Sequence, residues 1–398
     1  MTKAKLWFQL GLGVFMLVSL TACPGPGGSP VSVVAAGVGA AAYRVQGGDW
    51  QTADDPEHFT FRTPGAYEVA LRCGDAVEVY ALTTGDGTEL NLPCDAQGST
   101  SFLVSYDASA VAGAHRVVLY YKDGFKGGTP GQASGTISVS GSVAGTQDLV
   151  LTAEDNSGAL LAARMLTADV QNGGSYSIVL QASDAQNLLS GGSVDDFSAQ
   201  VPSGWGWSSA LAFAVTPRGT LVPTAFLQSS GGAYTSFRFA DHDGLMVDVR
   251  DSVANTTRRL TEITTSSGPG VQFTPRLPSV FSASVTHEAL PEFAGLSYNA
   301  SGLLGYNLLI RWGSGSYACF VSTSFLGSRS SHRLPDLSAV PGFTGSKPAS
   351  GNSVEASADA VVSNVASSRL LRSDMNNPLA LKELDLRLAG SEEEYTVP

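Results

Sequence analysis

Apolar and polar residues alternate with a period of two along much of this chain. Between residues 43 and 125, the apolar residues at alternate positions are Phe59 and Phe61; Tyr67, Val69 and Leu71; Val77 and Val79; Leu90 and Leu92; Phe102, Val104 and Tyr106; and Val117, Leu119 and Tyr121. Glycine and aspartate, which favour turns, stand between these runs. Because successive side chains of a strand point to opposite faces, the pattern predicts the short strands of a β-sandwich domain over 43–125.

Two further β regions follow this domain. A cluster of glycine, threonine, proline and serine at 126–134 predicts a domain boundary. Beyond it, alternating residues indicate a second small β domain over 134–210 and a third β-rich domain over 211–398. The predicted fold class is therefore all-β, with two or three β-sandwich-like domains.

Local patterns in the later regions predict individual elements. One hairpin is expected to pair 237–239 with 245–249 through the turn 241–244, and another to pair 308–312 with 317–321 through 313–315. Alternating leucines predict a closing strand over 384–388. The spacing of apolar residues is compatible with helices at 183–190 and 354–365.

Residues 135–141 and 174–178 alternate glycine or serine with isoleucine, valine or tyrosine. In these two stretches, the region 135–180 resembles the prealbumin-like or Ig-like β modules of exported proteins. The resemblance implies a small sandwich outside the cytoplasm.

The first residues have the pattern of an export leader. Lys3 and Lys5 precede an apolar run, from Leu6 to Leu20, that contains no charged residue. This run is shorter than the about 20 residues that span a bilayer comfortably. We therefore expect a signal peptide over 1–22 and not a transmembrane helix.

The leader ends in Leu20, Thr21, Ala22 and Cys23. These four residues resemble the lipobox of bacterial lipoproteins, which implies cleavage after Ala22, a diacylglyceryl group on the Cys23 thiol and acylation of the new amine. Several acyl chains, at about 0.8 kcal/mol per buried CH₂, anchor a protein stably. We expect a flexible tether over 23–42, although Val31 to Ala42 is apolar enough to form a first strand instead. The body is expected in the bacterial envelope outside the cytoplasm. An ordinary secretory leader is the alternative.

The mature chain is acidic. Without residues 1–22 it keeps 21 basic and 35 acidic residues, a formal charge of −14. Nucleic-acid binding depends on clustered lysine and arginine, and so does docking on anionic lipid. The composition therefore argues against nucleic acid as a partner and is typical of a solvated acidic surface.

Three cysteines remain besides Cys23. Cys73 ends one predicted strand and Cys94 follows the next predicted hairpin, and we predict a disulfide between them in an oxidising compartment. A closed loop of about 20 residues stabilises a fold by roughly 3 kcal/mol in the chain-entropy estimate. Cys319 alternates with Tyr317 and Val321, which predicts a buried and unreactive thiol.

Known catalytic and metal-binding motifs are missing from the sequence. No two of the five histidines lie within four positions of each other, and no serine stands in a Gly-x-Ser-x-Gly elbow. We therefore predict no cofactor. Asp241, His242 and Asp243 are the densest polar cluster and could hold a divalent cation, but a hairpin turn closed by Asp243 and Gly244 accounts for the same residues.

Trp205 and Trp207 are the remaining candidate site. In an extended segment both indoles would face one way and could form a platform on which a sugar stacks. Alternatively, one or both rings fill a domain boundary. Three functions follow: a non-catalytic envelope lipoprotein that contacts a glycan or protein, a carbohydrate-binding lipoprotein that uses the two tryptophans, and an envelope hydrolase with an unrecognised site.

Overall fold

The alternating pattern forms β strands through most of the chain. A computed structural model describes residues 28–92, 94, 100–253, 256–370 and 381–398. Its regular structure is nearly all β, which confirms the predicted all-β fold class. Within these ranges, no helix is both long enough and apolar enough to span a bilayer.

The described strands are numbered in chain order. They are β1 (Ser29–Val34), β2 (Ala40–Val45), β3 (Gln51–Thr52), β4 (His58–Thr63), β5 (Ala66–Cys73), β6 (Ala76–Thr83), β7 (Glu89–Asn91), β8 (Thr100–Asp107), β9 (Arg116–Tyr121), β10 (Gly124–Gly127), β11 (Ser134–Ser142), β12 (Gly145–Glu154), β13 (Leu160–Val170), β14 (Gly174–Val179), β15 (Leu188–Val194), β16 (Trp207–Val215), β17 (Leu221–Leu227), β18 (Gly232–Phe237), β19 (His242–Val253), β20 (Thr256–Thr265), β21 (Gln272–Phe273), β22 (Ser284–Val285), β23 (Glu292–Ala294), β24 (Leu303–Trp312), β25 (Gly315–Ser322), β26 (Ser331–Arg333), β27 (Ser353–Ser363) and β28 (Asp385–Thr396). Short helices are α1 (Thr323–Leu326), α2 (Ser367–Leu370) and the 3₁₀ turns Ala182–Asn187 and Ser198–Gln200.

A twelve-stranded sheet, called here the main sheet, organises the fold. Its strand order is β17-β16-β19-β20-β28-β27-β24-β25-β6-β5-β2-β3, and only β25 and β6 are parallel neighbours. On one face, Val249, Leu260 and Ala389 stand at facing positions of adjacent strands. They belong to the largest buried cluster, so this face carries the main hydrophobic core.

Part of the opposite face of the main sheet is also covered. There the small sheet β4-β1-β7 packs on it, so that Val31 and Phe61 share a buried cluster with Val69 and Phe320. Further along the sheet, this face carries polar and charged side chains, several of them solvent-exposed.

A separate β-sandwich lies beside the main sheet. The sheets β10-β9-β12-β13 and β11-β8-β14 enclose a core of residues such as Phe102, Leu119, Leu151 and Ile178. This is the type of packing expected for two sheets that each bury one face. Two further three-stranded sheets, β18-β15-β21 and β22-β23-β26, complete the described fold.

Strand pairing does not follow the predicted domain boundaries. Strands β8 and β9, placed in 43–125, pair with strands from 134–179, whereas β2, β5 and β6 extend the sheet formed by 207–396. The tether predicted over 23–42 is likewise too long, because β1 and the start of β2 lie inside it. These pairings join segments far apart in sequence, and local composition does not report them.

Several predicted elements are confirmed and others are wrong. The hairpin of 308–312 with 317–321 forms as β24 and β25, and 384–388 falls largely within β28. The other hairpin does not form, because β18 pairs with β15 while β19 pairs with β16 and β20. The helix at 354–365 is wrong, since these residues are mostly β27, and the helix at 183–190 is a 3₁₀ turn followed by β15.

Candidate functional site

Trp205 and Trp207 have different surroundings in the structure. Trp205 is partly buried and packs against the main core, while the guanidinium of Arg258 lies 5.4 Å from its ring centroid. Trp207, the first residue of β16, remains 49% exposed. The two indoles therefore do not form the predicted shared platform. Trp207 alone is exposed for a ligand, and Trp205 packs against the core, as the alternative interpretation predicted.

Trp207 stacks with an arginine supplied by the neighbouring strand. It faces Arg250 in the ladder between β16 and β19, and the Arg250 guanidinium carbon lies 5.5 Å from the indole centroid. Asp248, two residues earlier on the same face, accepts a hydrogen bond of 2.8 Å from Nε of Arg250. A cation over an indole is attracted to the negative face of the ring, so the two side chains hold each other in place.

An open groove lies beside this pair. It has a volume of about 710 Å³ and is lined by Gly204, Gly206, Trp207, Arg250 and Asp251. Two glycines without side chains leave the backbone accessible next to the indole. We call this feature the Trp207 groove.

A row of facing residues runs from the Trp207 groove across the main sheet. Its members, in strand order, are Trp207, Arg250, Arg259, Gly390 and Asp359, and we call this set the cross-strand row. Facing residues in adjacent strands lie on the same side of a sheet. The row thus lies on the face that bears polar side chains.

Arg259 and Asp359 form an ion pair that crosses over the strand between them. Arg259 donates through Nε to Asp359 at 2.9 Å and through a terminal nitrogen at 2.5 Å, passing over Gly390 of β28. The hydrogen bonds to Asp359 raise the pKa of Arg259 above its ordinary value. Only 7% of the Asp359 side chain is exposed, so this is a well-ordered, mostly buried pair.

A second cleft of about 440 Å³ carries charges of both signs. Arg44, Arg333 and Lys347 line it together with Glu288 and Asp336. Each cation has a carboxylate partner: Glu68 for Arg44, Glu288 for Arg333 and Asp336 for Lys347. The cleft therefore presents satisfied ion pairs and is a weaker candidate for ligand binding than the Trp207 groove.

The cluster of Asp241, His242 and Asp243 is not a hairpin turn. His242 and Asp243 are the first residues of β19 and are buried, and the Asp243 carboxylate accepts hydrogen bonds from Tyr234 at 2.9 Å and from the Gly270 amide at 2.6 Å. Burial raises the pKa of Asp243. Asp241 pairs instead with Lys382 at 2.8 Å.

These contacts give the cluster a structural role. Asp241 and Asp243 each have partners outside the cluster, and His242 lies 3.4 Å from Asp241. The described part of the chain contains no group of three histidine, cysteine or acidic residues that could hold a metal ion. Asp243 links β18, β19 and the segment after β20, which explains why it is buried.

The described histidines are not placed around a nucleophile in a cleft. His287 contacts Glu393 at 3.0 Å on the surface, and His58 lies 3.9 Å from Asp55, also on the surface. His332 is buried 3.7 Å from the Cys319 sulfur, and burial lowers its pKa to about 4. Neither of the two clefts described above is lined by a histidine.

The cysteines are arranged as the sequence predicts. Cys73, at the end of β5, forms a disulfide with Cys94, with the two Cα atoms 5.4 Å apart. Cys319 is a buried free thiol on β25, and burial raises its pKa well above the ordinary value. Cys23 and the remainder of the lipobox lie outside the described residues.

Arg250, Arg259, Gly390 and Asp359 were not recognised from the sequence. Arg250 alternates with Val247 and Val249, which marks it as facing away from the core, but its neighbour Trp207 lies more than forty positions earlier. Only the pairing of β16, β19, β20, β28 and β27 brings the row together.

Comparison with known proteins gives no family. No protein-family model matches the chain, and no curated protein matches it. A solved structure titled "The Bacillus anthracis TIE protein" is similar at 9% sequence identity and a TM-score of 0.16, over 63% of this chain and 51% of that one. The chain thus spans about half the length of that protein, and a likeness this weak carries no argument about function.

Proposed function

We propose that this chain is a non-catalytic binding protein of the bacterial envelope, held to a membrane by lipid on Cys23, that binds its ligand in the Trp207 groove. The observation that carries the binding site is an indole 49% exposed, stacked with Arg250 at the wall of an open groove. Exposed tryptophan and arginine side chains are frequent anchors of binding surfaces.

The proposed anchor is supported by the leader and is compatible with the fold. Strand β1 begins at Ser29, six residues after Cys23, so an extended linker reaches at most about 20 Å. Strand β1 packs over β5, and Trp207 lies on β16, eight strand intervals or about 38 Å further along the main sheet. A lipid at Cys23 would thus hold one part of the body near the membrane and leave the groove at a distance from it.

Membrane partition tests the anchor. We expect the parent protein to stay with envelope membranes through a carbonate wash and its N-terminal peptide to carry acyl groups in mass spectrometry. Cys23→Ser should be released from the membrane and lack the added mass. Membrane retention of Cys23→Ser as strong as that of the parent would contradict the anchor.

Pull-down with isolated cell-wall glycan and with soluble polysaccharides tests the binding site. Trp207→Ala should weaken retention at least tenfold, about 1.4 kcal/mol, because the stacking surface is lost. Phe226→Ala is the matched control, since Phe226 is also an exposed aromatic residue of the main sheet, on β17 and 79% exposed. Equal loss in both variants, or none in Trp207→Ala, would contradict the site.

The hydrolase alternative receives no support from the described residues. General acid–base catalysis needs a proton acceptor within hydrogen-bond reach of the reacting group in a substrate pocket. The described histidines that contact a carboxylate or thiol do so outside the two clefts described above.

A further inference from the structure

Positive and negative charges cancel along the cross-strand row. Arg250 is paired with Asp248, and Arg259 is paired with Asp359. At the adjacent ladder position, and so on the opposite face of the sheet, Arg258 pairs with Asp251, which lines the end of the Trp207 groove. Each described arginine of the row and its groove therefore has a carboxylate partner and still offers N–H groups, in a protein that is acidic as a whole.

Paired charges favour an uncharged ligand over an anionic polymer. A strongly anionic polymer requires arginine or lysine side chains that are free to neutralise it. A sugar hydroxyl, in contrast, both donates and accepts a hydrogen bond. Arg250 and Arg259 remain 53% and 35% exposed, so the N–H groups that their carboxylate partners do not use can donate to hydroxyl groups, while the partners neutralise the charge.

The length of the row also limits the ligand. It crosses four strand intervals from β16 to β27, which is about 19 Å at the usual spacing of strands and several sugar rings long. Trp207 at one end is the apolar surface, and the charged pairs follow. Ser209, which is partly exposed on β16 and faces Asp248, adds a hydroxyl group beside the row.

We infer that the cross-strand row binds an extended, uncharged glycan, with one sugar ring stacked on Trp207 and the next rings accepting hydrogen bonds from the exposed guanidinium groups of Arg250 and Arg259, which Asp248 and Asp359 hold in place. This inference rests on the proposed function, because it names the ligand class of the same groove. The indole holds the C–H face of a ring, and the planar pairs orient the hydroxyl groups around it.

Affinity electrophoresis of the full chain, extracted in detergent, tests this inference. The probes are neutral polysaccharides (a β-glucan, an α-glucan, a mannan and a galactan), chitin oligosaccharides of increasing length, and two polyanions, a polyuronate and a polyphosphate. We expect at least one neutral glycan to retard the protein, with an affinity that rises with length up to about four rings. We expect that affinity to change less than about twofold between low and high salt, since no net charge is neutralised.

Point variants test whether the glycan binds at the cross-strand row. Trp207→Ala and Arg250→Ala should each lower the affinity at least tenfold, and Arg250→Lys should restore little, because lysine lacks the planar fork. Phe226→Ala is the control and should bind as the parent does. Equal melting temperatures across the set show that the variants fold.

Two outcomes separate this inference from the proposed function. If no neutral glycan binds, but a polyanion or an envelope protein does and Trp207→Ala abolishes that binding, the groove is a binding site and the inference about an uncharged glycan is overturned. If a neutral glycan binds and neither Trp207→Ala nor Arg250→Ala weakens it, both the proposed site and the inference are wrong.

Discussion

The carboxylate of Asp359 occupies the space that a side chain on Gly390 would need. An ideal Cβ on Gly390 would overlap Oδ1 of Asp359, and the backbone oxygen of Ala358 would lie only 2.9 Å away. Glycine at this position of β28 thus lets Asp359 of β27 reach Arg259 of β20 across the intervening strand.

Replacing this glycine should therefore destabilise the fold. Gly390→Ala would displace Asp359 and separate a mostly buried ion pair, and we expect a loss of about 1–3 kcal/mol in the free energy of unfolding. Urea denaturation measures it. Gly127→Ala, on β10, is the control and should change stability far less, because a Cβ added there would meet nothing within 4 Å. Equal stability of Gly390→Ala and the parent would show that Asp359 moves without cost.

Glu262 should make the stability depend on pH. Burial raises the pKa of this carboxyl from 4.5 to about 7. A hydrogen bond from the Arg276 amide lowers the pKa but does not offset the effect of burial. Between these values the folded protein keeps a proton that the unfolded chain has released, so stability falls as the pH rises through the window. Above pH 7, Glu262→Gln should be more stable than the parent, by up to about 3 kcal/mol.

Thermal unfolding at several pH values measures this difference. The gain in Glu262→Gln should shrink as the pH falls from 7 and disappear near pH 4.5. Glu394→Gln, at an exposed position of β28, serves as the control. A gain that is the same at pH 4.5 and pH 8 would assign the effect to something other than the proton on Glu262.

The disulfide should contribute measurably to stability. Cys73 and Cys94 are 21 positions apart, and closing such a loop is worth roughly 3 kcal/mol when the entropy of the unfolded chain is considered. A Cys73→Ser, Cys94→Ser double variant should lose about this amount, and a reductant should destabilise the parent but not the variant. Peptide mapping without reduction should show Cys73 joined to Cys94.

Cys319 should resist alkylation in the folded protein. It is buried on β25, and burial raises the pKa of its thiol well above the ordinary value, so little reactive thiolate forms. Iodoacetamide should label the peptide that contains it only after denaturation. Rapid labelling under native conditions would contradict the buried position.

Removing the hydroxyl group of Thr224 should increase the stability of the fold. Its Oγ1 atom on the edge strand β17 is buried and has no hydrogen-bond partner among the described residues. Thr224→Val keeps the shape and removes the unsatisfied group, so we expect about 1 kcal/mol of added stability in urea denaturation. A loss of stability would indicate that the hydroxyl group has a partner, such as water.

Predictions from the sequence succeeded where the determining contacts are local. The hairpin of β24 and β25 has its turn, Gly313 to Gly315, between two alternating runs, so neighbours in sequence are also neighbours in the sheet. The helix predicted at 354–365 failed because β27 is buried on both faces. Ala356, Ala358 and Ala360 line one face and Ser357 and Asp359 the other, which is the period of two of a strand. The helix prediction used only the wider spacing of Val354, Ala358, Val361 and Val365, and alanine is itself a strong helix former, so the alternation was missed.

Local signals in the chain were enough to predict that this protein is built of strands, which of their faces are apolar, and that Cys73 joins Cys94, because side-chain alternation and turn residues act over a few positions. The sequence also carries the leader on which the proposed anchor rests. The pairing of the strands follows from the tertiary structure, which brings Trp207, Arg250, Arg259 and Asp359 into one row across five strands. Register there is set by packing between segments that are distant in sequence: 43 positions separate Trp207 from Arg250, and 131 separate Arg259 from Gly390. No local pattern in the sequence records these two contacts.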